Sequence, residues 1–185
     1  EAMGRFVESF DGLYTTAEDV NVGIADLEHV CRTTKHVTGL PREQGGSGNP
    51  SPYTARGCFV GMRAALVEAF GSDSFEGKVV ALQGPGCVGF PLGESIVKAG
   101  GKLVVSDINE ENLARAAKEL GATIVEPADI YDVECDVYAP CALGATLNDE
   151  TIPRLKCKVI AGAANNQLHD EKRHAQMLKE RGILY

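Results

Sequence analysis

The chain has 185 residues, of which 44% are hydrophobic and 24% are charged, and it carries a formal net charge of -8 at pH 7. A chain of this length can bury its own core, and the acidic balance argues against partners such as nucleic acid or an anionic membrane surface. Six cysteines without a Cys-x-x-Cys pair, and the lack of a long apolar run or a signal-peptide pattern, predict reduced thiols in a cytoplasmic protein without a metal site or a membrane span.

The amino-terminal region is predicted to be helical around a long loop. Thr16 followed by Ala-Glu-Asp is typical of an N-cap with acids in the first turn, so we expect a helix from Thr16 to about Cys31. A glycine-rich loop over residues 39–52 follows, and Ser51 with Pro52 indicates the start of the next helix. That helix is expected to end at Gly71, and its apolar face repeats every three or four residues, at Phe59, Met62, Leu66 and Phe70.

Short apolar strands alternate with helices in the rest of the chain. This alternation predicts an α/β fold with a doubly wound, mostly parallel sheet and right-handed crossovers. The final three residues, 183–185, look like the start of another strand, so we expect a fragment. The strands are predicted at residues 79–82, 103–105, 123–125, 137–139 and 159–161. The helices are predicted from the glycine motif after the first strand to about residue 99, at residues 109–120 and at residues 170–181.

A glycine motif directly follows the first of these strands. In a Gly-x-Gly-x-x-Gly sequence, the first glycine permits a tight turn, the second lets the backbone approach a pyrophosphate, and the third allows close packing of helix and strand. The alternative is an ordinary strand-to-helix turn, and Pro91 is a departure because it falls early in the expected helix. The candidate cofactor-binding residues here are Gly84, Gly86, Cys87, Val88 and Gly89.

The second strand leads into Asp107, which lies 18 residues after Gly89. An acid at about this spacing binds the adenosine ribose in dinucleotide-binding folds. A carboxylate accepts a hydrogen bond from the 2′-hydroxyl of NAD and repels the 2′-phosphate of NADP, and residues 108–111 contain no Arg or Lys. The sequence therefore predicts NAD as the cofactor. Asp107 alone also fits a helix N-cap, and the two roles can coexist.

Two further loops follow the fourth and fifth strands, over residues 139–144 and 162–167. Ligands of such sheets bind beyond the carboxyl ends of the strands, where small residues and an Asn amide can line a cofactor. The alternative is that both are plain turns, with Asn165 or Asn166 capping the last helix. Cys141 has no His next to it in sequence, and an inert packing role is the better interpretation than a nucleophile.

Several longer segments resemble the glutamate/leucine/phenylalanine/valine dehydrogenase family, and the resemblance covers essentially the whole chain. It implies NAD-dependent oxidative deamination of an L-amino acid, of a branched-chain leucine-like kind, to a 2-oxo acid and ammonia. A member specific for phenylalanine, valine or glutamate is one alternative, and a non-catalytic NAD-binding module is another. The segments are residues 16–20, 48–55, 131–136, 139–144 and 164–168.

The resemblance also implies roles for individual residues. Asp19 falls on the family's catalytic aspartate, which exchanges a proton with the substrate amino group and orients a catalytic lysine, although Glu18 and Asp19 alone fit ordinary first-turn helix acids. Ala17 and Thr38 fall near the substrate pocket. The residues that fall on the cofactor cleft are Thr54, near the nicotinamide end, Asp107 with Ile108 at the adenosine ribose, and Cys141, Ala142 and Asn165.

The resemblance finally implies how the chain is organised. We expect residues 1–52 to be a remnant of the substrate domain with the inter-domain loop, and residues 53–185 to be an NAD-binding Rossmann domain truncated at its carboxyl end. The family's two functional lysines precede the segment that starts at Glu1. This piece alone is therefore expected to bind NAD weakly and to turn over no substrate, and the intact enzyme is expected to be a homo-oligomer.

Overall fold

The computed structural model describes residues 1–19 and 22–185. They form two compact units, Glu1–Pro50 and Ser51–Tyr185. Val20, the last residue of the family-like segment at 16–20, lies outside the described residues. None of the helices described is both long enough and apolar enough to span a membrane.

The first unit contains the helices α1, Ala2–Glu8, and α2, Ile24–Cys31, with a short 3-10 turn at Arg42–Gln44. The expected helix start at Thr16 is wrong. Thr16 lies in an extended segment that forms a parallel bridge with Val37, and its backbone oxygen accepts from Thr38 N at 2.9 Å. A β-branched residue suits such an extended pairing. The helix begins instead after Gly23, whose N–H donates to the Asp26 carboxylate at 3.0 Å.

The second unit begins with the helix α3, Ser51–Phe70. Met62 and Leu66 are fully buried, and Phe59 and Phe70 pack against the same core, so the predicted apolar face is confirmed. The helix ends before Gly71, which has a left-handed φ of 75° and thus stops the helix as expected.

The predicted α/β sheet is confirmed. Its five strands run in the order β3-β2-β1-β4-β5, and every neighbouring pair is parallel. The order reverses beside β1, so the carboxyl ends of β1 and β4 flank the crevice at which such sheets bind ligands. The elements are β1 Val79–Gln83, α4 Gly89–Lys98, β2 Lys102–Ser106, α5 Glu110–Leu120, β3 Thr123–Ile124, β4 Val137–Pro140, β5 Val159–Ile160 and α6 Glu171–Glu180.

The core of the second unit lies on both faces of the sheet. Along β1, Val80 and Leu82 join one buried cluster with Leu66, while Ala81 joins a second cluster with Tyr138. Burial on both faces explains why the central strands are continuous apolar runs rather than alternating ones.

The strand expected at residues 183–185 is reduced to a single parallel bridge between Leu184 and Val159. Ile160 N donates to Leu184 O at 2.8 Å, and Leu184 N donates to Lys158 O at 2.9 Å. This segment therefore runs along the β5 edge of the sheet without forming a strand of its own.

Candidate functional site

The turn after β1 is fitted tightly between its neighbours. Gly84 has a left-handed φ of 88°, and its N–H donates to Ser106 O, at the end of β2, at 2.8 Å. A Cβ at this position would lie 2.9 Å from Ala142 N and 3.0 Å from the carbonyl carbon of Cys141. Both the backbone angle and the space therefore require glycine here.

The third glycine of the motif lies against the first. A Cβ on Gly89 would collide with the carbonyl oxygen of Gly84, as expected of the glycine that permits close packing of helix on strand. Helix α4 begins at Gly89, so Pro91 is its third residue. The N–H groups of the first turn have no partner within the helix, and proline is therefore tolerated at this position.

The second glycine of the motif faces open space. A Cβ on Gly86 would meet Asn112 Nδ2, at 4.0 Å, as its nearest non-adjacent neighbour among the described atoms. Cys87 beside it is exposed, while the Val88 side chain packs against the core. The backbone at Gly86 is thus accessible to a ligand, as the motif predicts.

Asp107 follows β2 and is held by two hydrogen bonds. One carboxylate oxygen accepts from Asn109 N and the other from Asn112 Nδ2, each at 3.0 Å. Asn109, not Asp107, is the N-cap of α5, so the alternative role of Asp107 as the cap is wrong. The side chain of Ile108, the next residue, is 93% exposed and does not join the core.

Asn112 connects the glycine turn to the acid. Its amide is hydrogen-bonded to Asp107 and is also the group that faces Gly86.

Ser106, one residue before the acid, is completely buried, and its hydroxyl has no hydrogen-bond partner among the described residues. Sequence reasoning missed both residues. For Asn112 the available signal was its place in the first turn of the helix that follows the acid.

The loop after β4 closes the other side of the turn. Cys141 N donates to Gln83 O at 2.8 Å, and Cys141 Sγ accepts from Ala163 N at 3.5 Å. Burial raises the pKa of the Cys141 thiol to about 12. The thiol is therefore protonated at neutral pH, which favours packing over nucleophilic chemistry.

The loops after β4 and β5 are joined to each other. Ala145 N donates to Asn166 O at 2.7 Å, and Ala164 N donates to Pro140 O at 2.9 Å. Gln167 Nε2 donates to Gly162 O and Ala164 O within the second loop. Asn165 is exposed at the tip of the second loop. Helix α6 is capped by Asp170, whose carboxylate accepts from Arg173 N at 3.0 Å, so the alternative in which Asn165 or Asn166 caps it is wrong.

The remaining candidates lie elsewhere in the chain. In the first unit, Ala17 and Thr38 lie on adjoining extended segments, and Thr38 Oγ1 is 2.7 Å from Ser47 Oγ. Asp19 is exposed there, and its backbone oxygen accepts from Val22 N at 2.9 Å.

Thr54, the last candidate, lies in the first turn of α3 in the second unit. Among the described residues, no three His, Cys, Asp or Glu side chains form a group that could hold a metal ion.

The second unit thus brings six predicted residues to one crevice, at the carboxyl ends of β1, β2 and β4. The turn of residues 86–89 lies at the positive end of the α4 dipole and favours an anion, and the carboxylate at the end of β2 accepts hydrogen bonds from hydroxyl groups. The residues brought together are Gly84, Gly86, Gly89, Asp107, Cys141 and Ala142.

Known proteins match this chain over its whole length. Residues 107–185 match the model of the glutamate/leucine/phenylalanine/valine dehydrogenase family. Leucine dehydrogenases from Thermoactinomyces intermedius and Geobacillus stearothermophilus are 56% and 55% identical to it over 184 residues, which is 100% of this chain and 50% of each relative. The predicted family resemblance is confirmed. The chain is a relative of these amino-acid dehydrogenases.

A solved structure shares the fold. The crystal structure of L-tryptophan dehydrogenase from Nostoc punctiforme matches with a TM-score of 0.79 and 41% identity, covering 100% of this chain and 52% of that one. The chain thus spans about half the length of the curated relatives it matches.

Proposed function

We propose that this chain is part of an NAD-dependent dehydrogenase that oxidatively deaminates a leucine-like branched-chain L-amino acid to its 2-oxo acid and ammonia. The observation that carries the proposal is the open backbone at Gly86 facing the Asn112–Asp107 pair. The substrate class is supported by identities of 56% and 55% to leucine dehydrogenases, against 41% to the tryptophan dehydrogenase structure.

The crevice suits a dinucleotide. The backbone at Gly86 is accessible, and Asp107 presents a carboxylate that is already fixed by two donors. The buried Ser106 hydroxyl beside it lacks a partner among the described residues, so a polar group at this strand end is still unsatisfied. These residues fit an adenosine diphosphate moiety, and bound NAD supplies the hydride acceptor.

NAD is favoured over NADP by the charge around the ribose position. Asp107 is followed by the exposed Glu110 and Glu111 at the start of α5. A 2′-phosphate at this position would be repelled by the Asp107 carboxylate, with Glu110 and Glu111 adding negative charge to the same helix end, whereas a 2′-hydroxyl donates a hydrogen bond to Asp107.

Each part of the chain has a distinct task in this proposal. The amides of the turn at residues 86–89, in front of α4, bind the pyrophosphate. The loops that contain Cys141, Ala142 and Asn165 line the nicotinamide end together with Thr54. In the first unit, Asp19 exchanges a proton with the substrate amino group. A carboxylate suits that step because the substrate ammonium group must lose a proton before its nitrogen lone pair can form the C=N bond as hydride leaves the α-carbon. In the same unit, Ala17 and Thr38 border the substrate.

The test is an assay of the full-length polypeptide that contains this chain. With L-leucine and NAD we expect formation of the reduced cofactor, followed by its absorbance, with a higher kcat/KM than for L-phenylalanine, L-tryptophan or L-glutamate. L-Valine, which is one methylene shorter, is expected to differ by about 1–3 kcal/mol in transition-state binding. A folded polypeptide that reduces NAD with none of these amino acids would contradict the proposal.

The resemblance also supports assembly of the intact enzyme from identical chains in the cytoplasm. Light scattering coupled to size exclusion measures the number of chains per particle. A monomeric particle with full leucine activity would contradict the assembly while leaving the dehydrogenase proposal intact.

A further inference from the structure

Two cysteines that the proposed function does not use lie at the amino ends of neighbouring strands. Cys135 and Cys157 each lie two residues before the first residue of β4 and β5, and those first residues, Val137 and Val159, pair in register. Asp136 O accepts from Lys158 N at 3.2 Å, so the segments that carry the cysteines already run side by side.

The spacing of the two segments suits a disulfide. Neighbouring parallel strands lie about 4.8 Å apart, and disulfides form between residues whose Cα atoms are about 4.4–6.8 Å apart. Both side chains pack against the same buried cluster, which includes Tyr138 and Ile160, and the two thiols are close enough to change each other's pKa.

The interaction between the two thiols makes them chemically unequal. It lowers the pKa of Cys157 in spite of burial, and the positive charge of Arg181 acts in the same direction. The interaction with Cys157 and burial raise the pKa of Cys135. Cys157 is therefore the thiol that ionises first, and the thiolate is the nucleophilic form.

Cys157 is mostly buried, but it forms part of the wall of an open cleft of about 750 Å³. Lys158, Lys179 and Arg181 also line this cleft and outnumber its one acidic side chain, Glu68, and positive surroundings stabilise a thiolate. By contrast, burial raises the pKa of Cys58 to about 11, which disfavours its ionisation at neutral pH.

We propose that Cys135 and Cys157 form a dithiol site that hydroperoxides oxidise to a reversible disulfide. The Cys157 thiolate attacks one peroxide oxygen, the O–O bond breaks, and with one proton taken up a water molecule leaves, so that Cys157 becomes a sulfenic acid. The Cys135 sulfur then attacks the Cys157 sulfur, the S–O bond breaks, and a second water leaves with the Cys135 proton. Two thiols lose two electrons, and the hydrogen peroxide that receives them is reduced to water.

The experiment uses the full-length polypeptide that contains this chain, treated with hydrogen peroxide, alkylated with iodoacetamide and digested with trypsin. Mass spectrometry is expected to find the tryptic segment 119–154 linked to the segment 157–158, with a loss of about 2 Da that dithiothreitol reverses. The link is expected to be absent in Cys135→Ser and Cys157→Ser and retained in the matched control Cys31→Ser. In Cys135→Ser, dimedone is expected to label Cys157, because the sulfenic acid then has no partner.

The outcomes separate this site from the other thiols. Segment 119–154 also contains Cys141, so a link that persists in Cys135→Ser would assign it to Cys141 and overturn the proposal. Full alkylation of Cys135 and Cys157 in peroxide-treated wild type, with oxidation confined to the exposed Cys87, would also overturn it. Because the link is mapped in the wild type, the result does not depend on whether a variant folds, and it is independent of dehydrogenase activity.

Discussion

Asp107 is fixed before any ligand arrives. Its two carboxylate oxygens are each held by one donor, Asn109 N and Asn112 Nδ2, both from the start of α5. A carboxylate that is oriented in advance loses little freedom when it accepts a further hydrogen bond from a ribose. The residue therefore contributes to nucleotide affinity through its charge and through its fixed position.

Replacing Asp107 tests this contribution. In Asp107→Asn we expect the KM for NAD to rise by about tenfold or more, because a hydrogen bond to a charged group contributes about 1.5–3 kcal/mol. We also expect discrimination against NADP to narrow, because the repulsion between Asp107 and the 2′-phosphate is removed. Steady-state kinetics with both nucleotides measure the two effects.

The matched control for Asp107→Asn is Glu111→Gln. Glu111 is also in the first turn of α5 and exposed, but it lies outside the Asp107–Asn112 contact. The control is expected to change the KM for NAD little. An equal rise in both variants would assign the effect to net charge rather than to the position of Asp107.

At the scale of elements, the strand-to-helix turn depends on glycine at position 84, where a side chain does not fit. In Gly84→Ala we expect a loss of about 1–3 kcal/mol in the free energy of unfolding, because φ is left-handed and the added Cβ would press on the Ala142 backbone. Urea unfolding monitored by circular dichroism measures the change.

Gly61→Ala is the matched control for that substitution. Gly61 lies inside α3, and a Cβ there would meet nothing within 4 Å among the described residues. The same chemical change is expected to stabilise the helix by about 0.5–1 kcal/mol. If both variants lower the free energy of unfolding equally, the loss in Gly84→Ala does not come from the left-handed φ of Gly84.

The elements of the sheet could be predicted because their signals are local. An apolar run such as residues 79–82 identifies a strand buried on both faces, and Gly121 stops α5 where expected. The helix at Thr16 could not be predicted correctly, because the pairing of Thr16 with Val37 depends on a contact distant in sequence.

The site was only partly predictable for the same reason. The motif identified Gly86 and Asp107 as separate candidates, and both lie at the crevice. The residue that joins them, Asn112, carries no signature of its own, because its role arises only when the first turn of α5 places its amide beside the glycine turn.

At the scale of the whole molecule, the candidate residues are divided between two compact units. Asp19 belongs to Glu1–Pro50, and the nucleotide crevice belongs entirely to Ser51–Tyr185. If the two units have the tasks we propose, a change in the first should alter the chemical step without altering nucleotide binding.

Asp19→Asn in the full-length polypeptide tests this division. We expect kcat to fall by about 10²–10⁴-fold, because positioned proton transfer contributes about that much, with the dissociation constant for NAD unchanged in calorimetric titration. Retention of full kcat would exclude Asp19 as the proton-exchanging group, and loss of NAD affinity would contradict the division between the units.

The bond between Gly84 N and Ser106 O has a consequence for where an anion can bind. Because this amide is already used to join β1 and β2, it has no proton left to offer to a phosphate oxygen. Inside α4, Phe90 N donates to Gly86 O at 2.9 Å, and Pro91 has no N–H. The electropositive part of the motif is therefore the turn of residues 86–89, in front of the positive end of the helix dipole. The leading glycine shapes the path of the chain, and the attraction for negative charge comes from the residues that follow it.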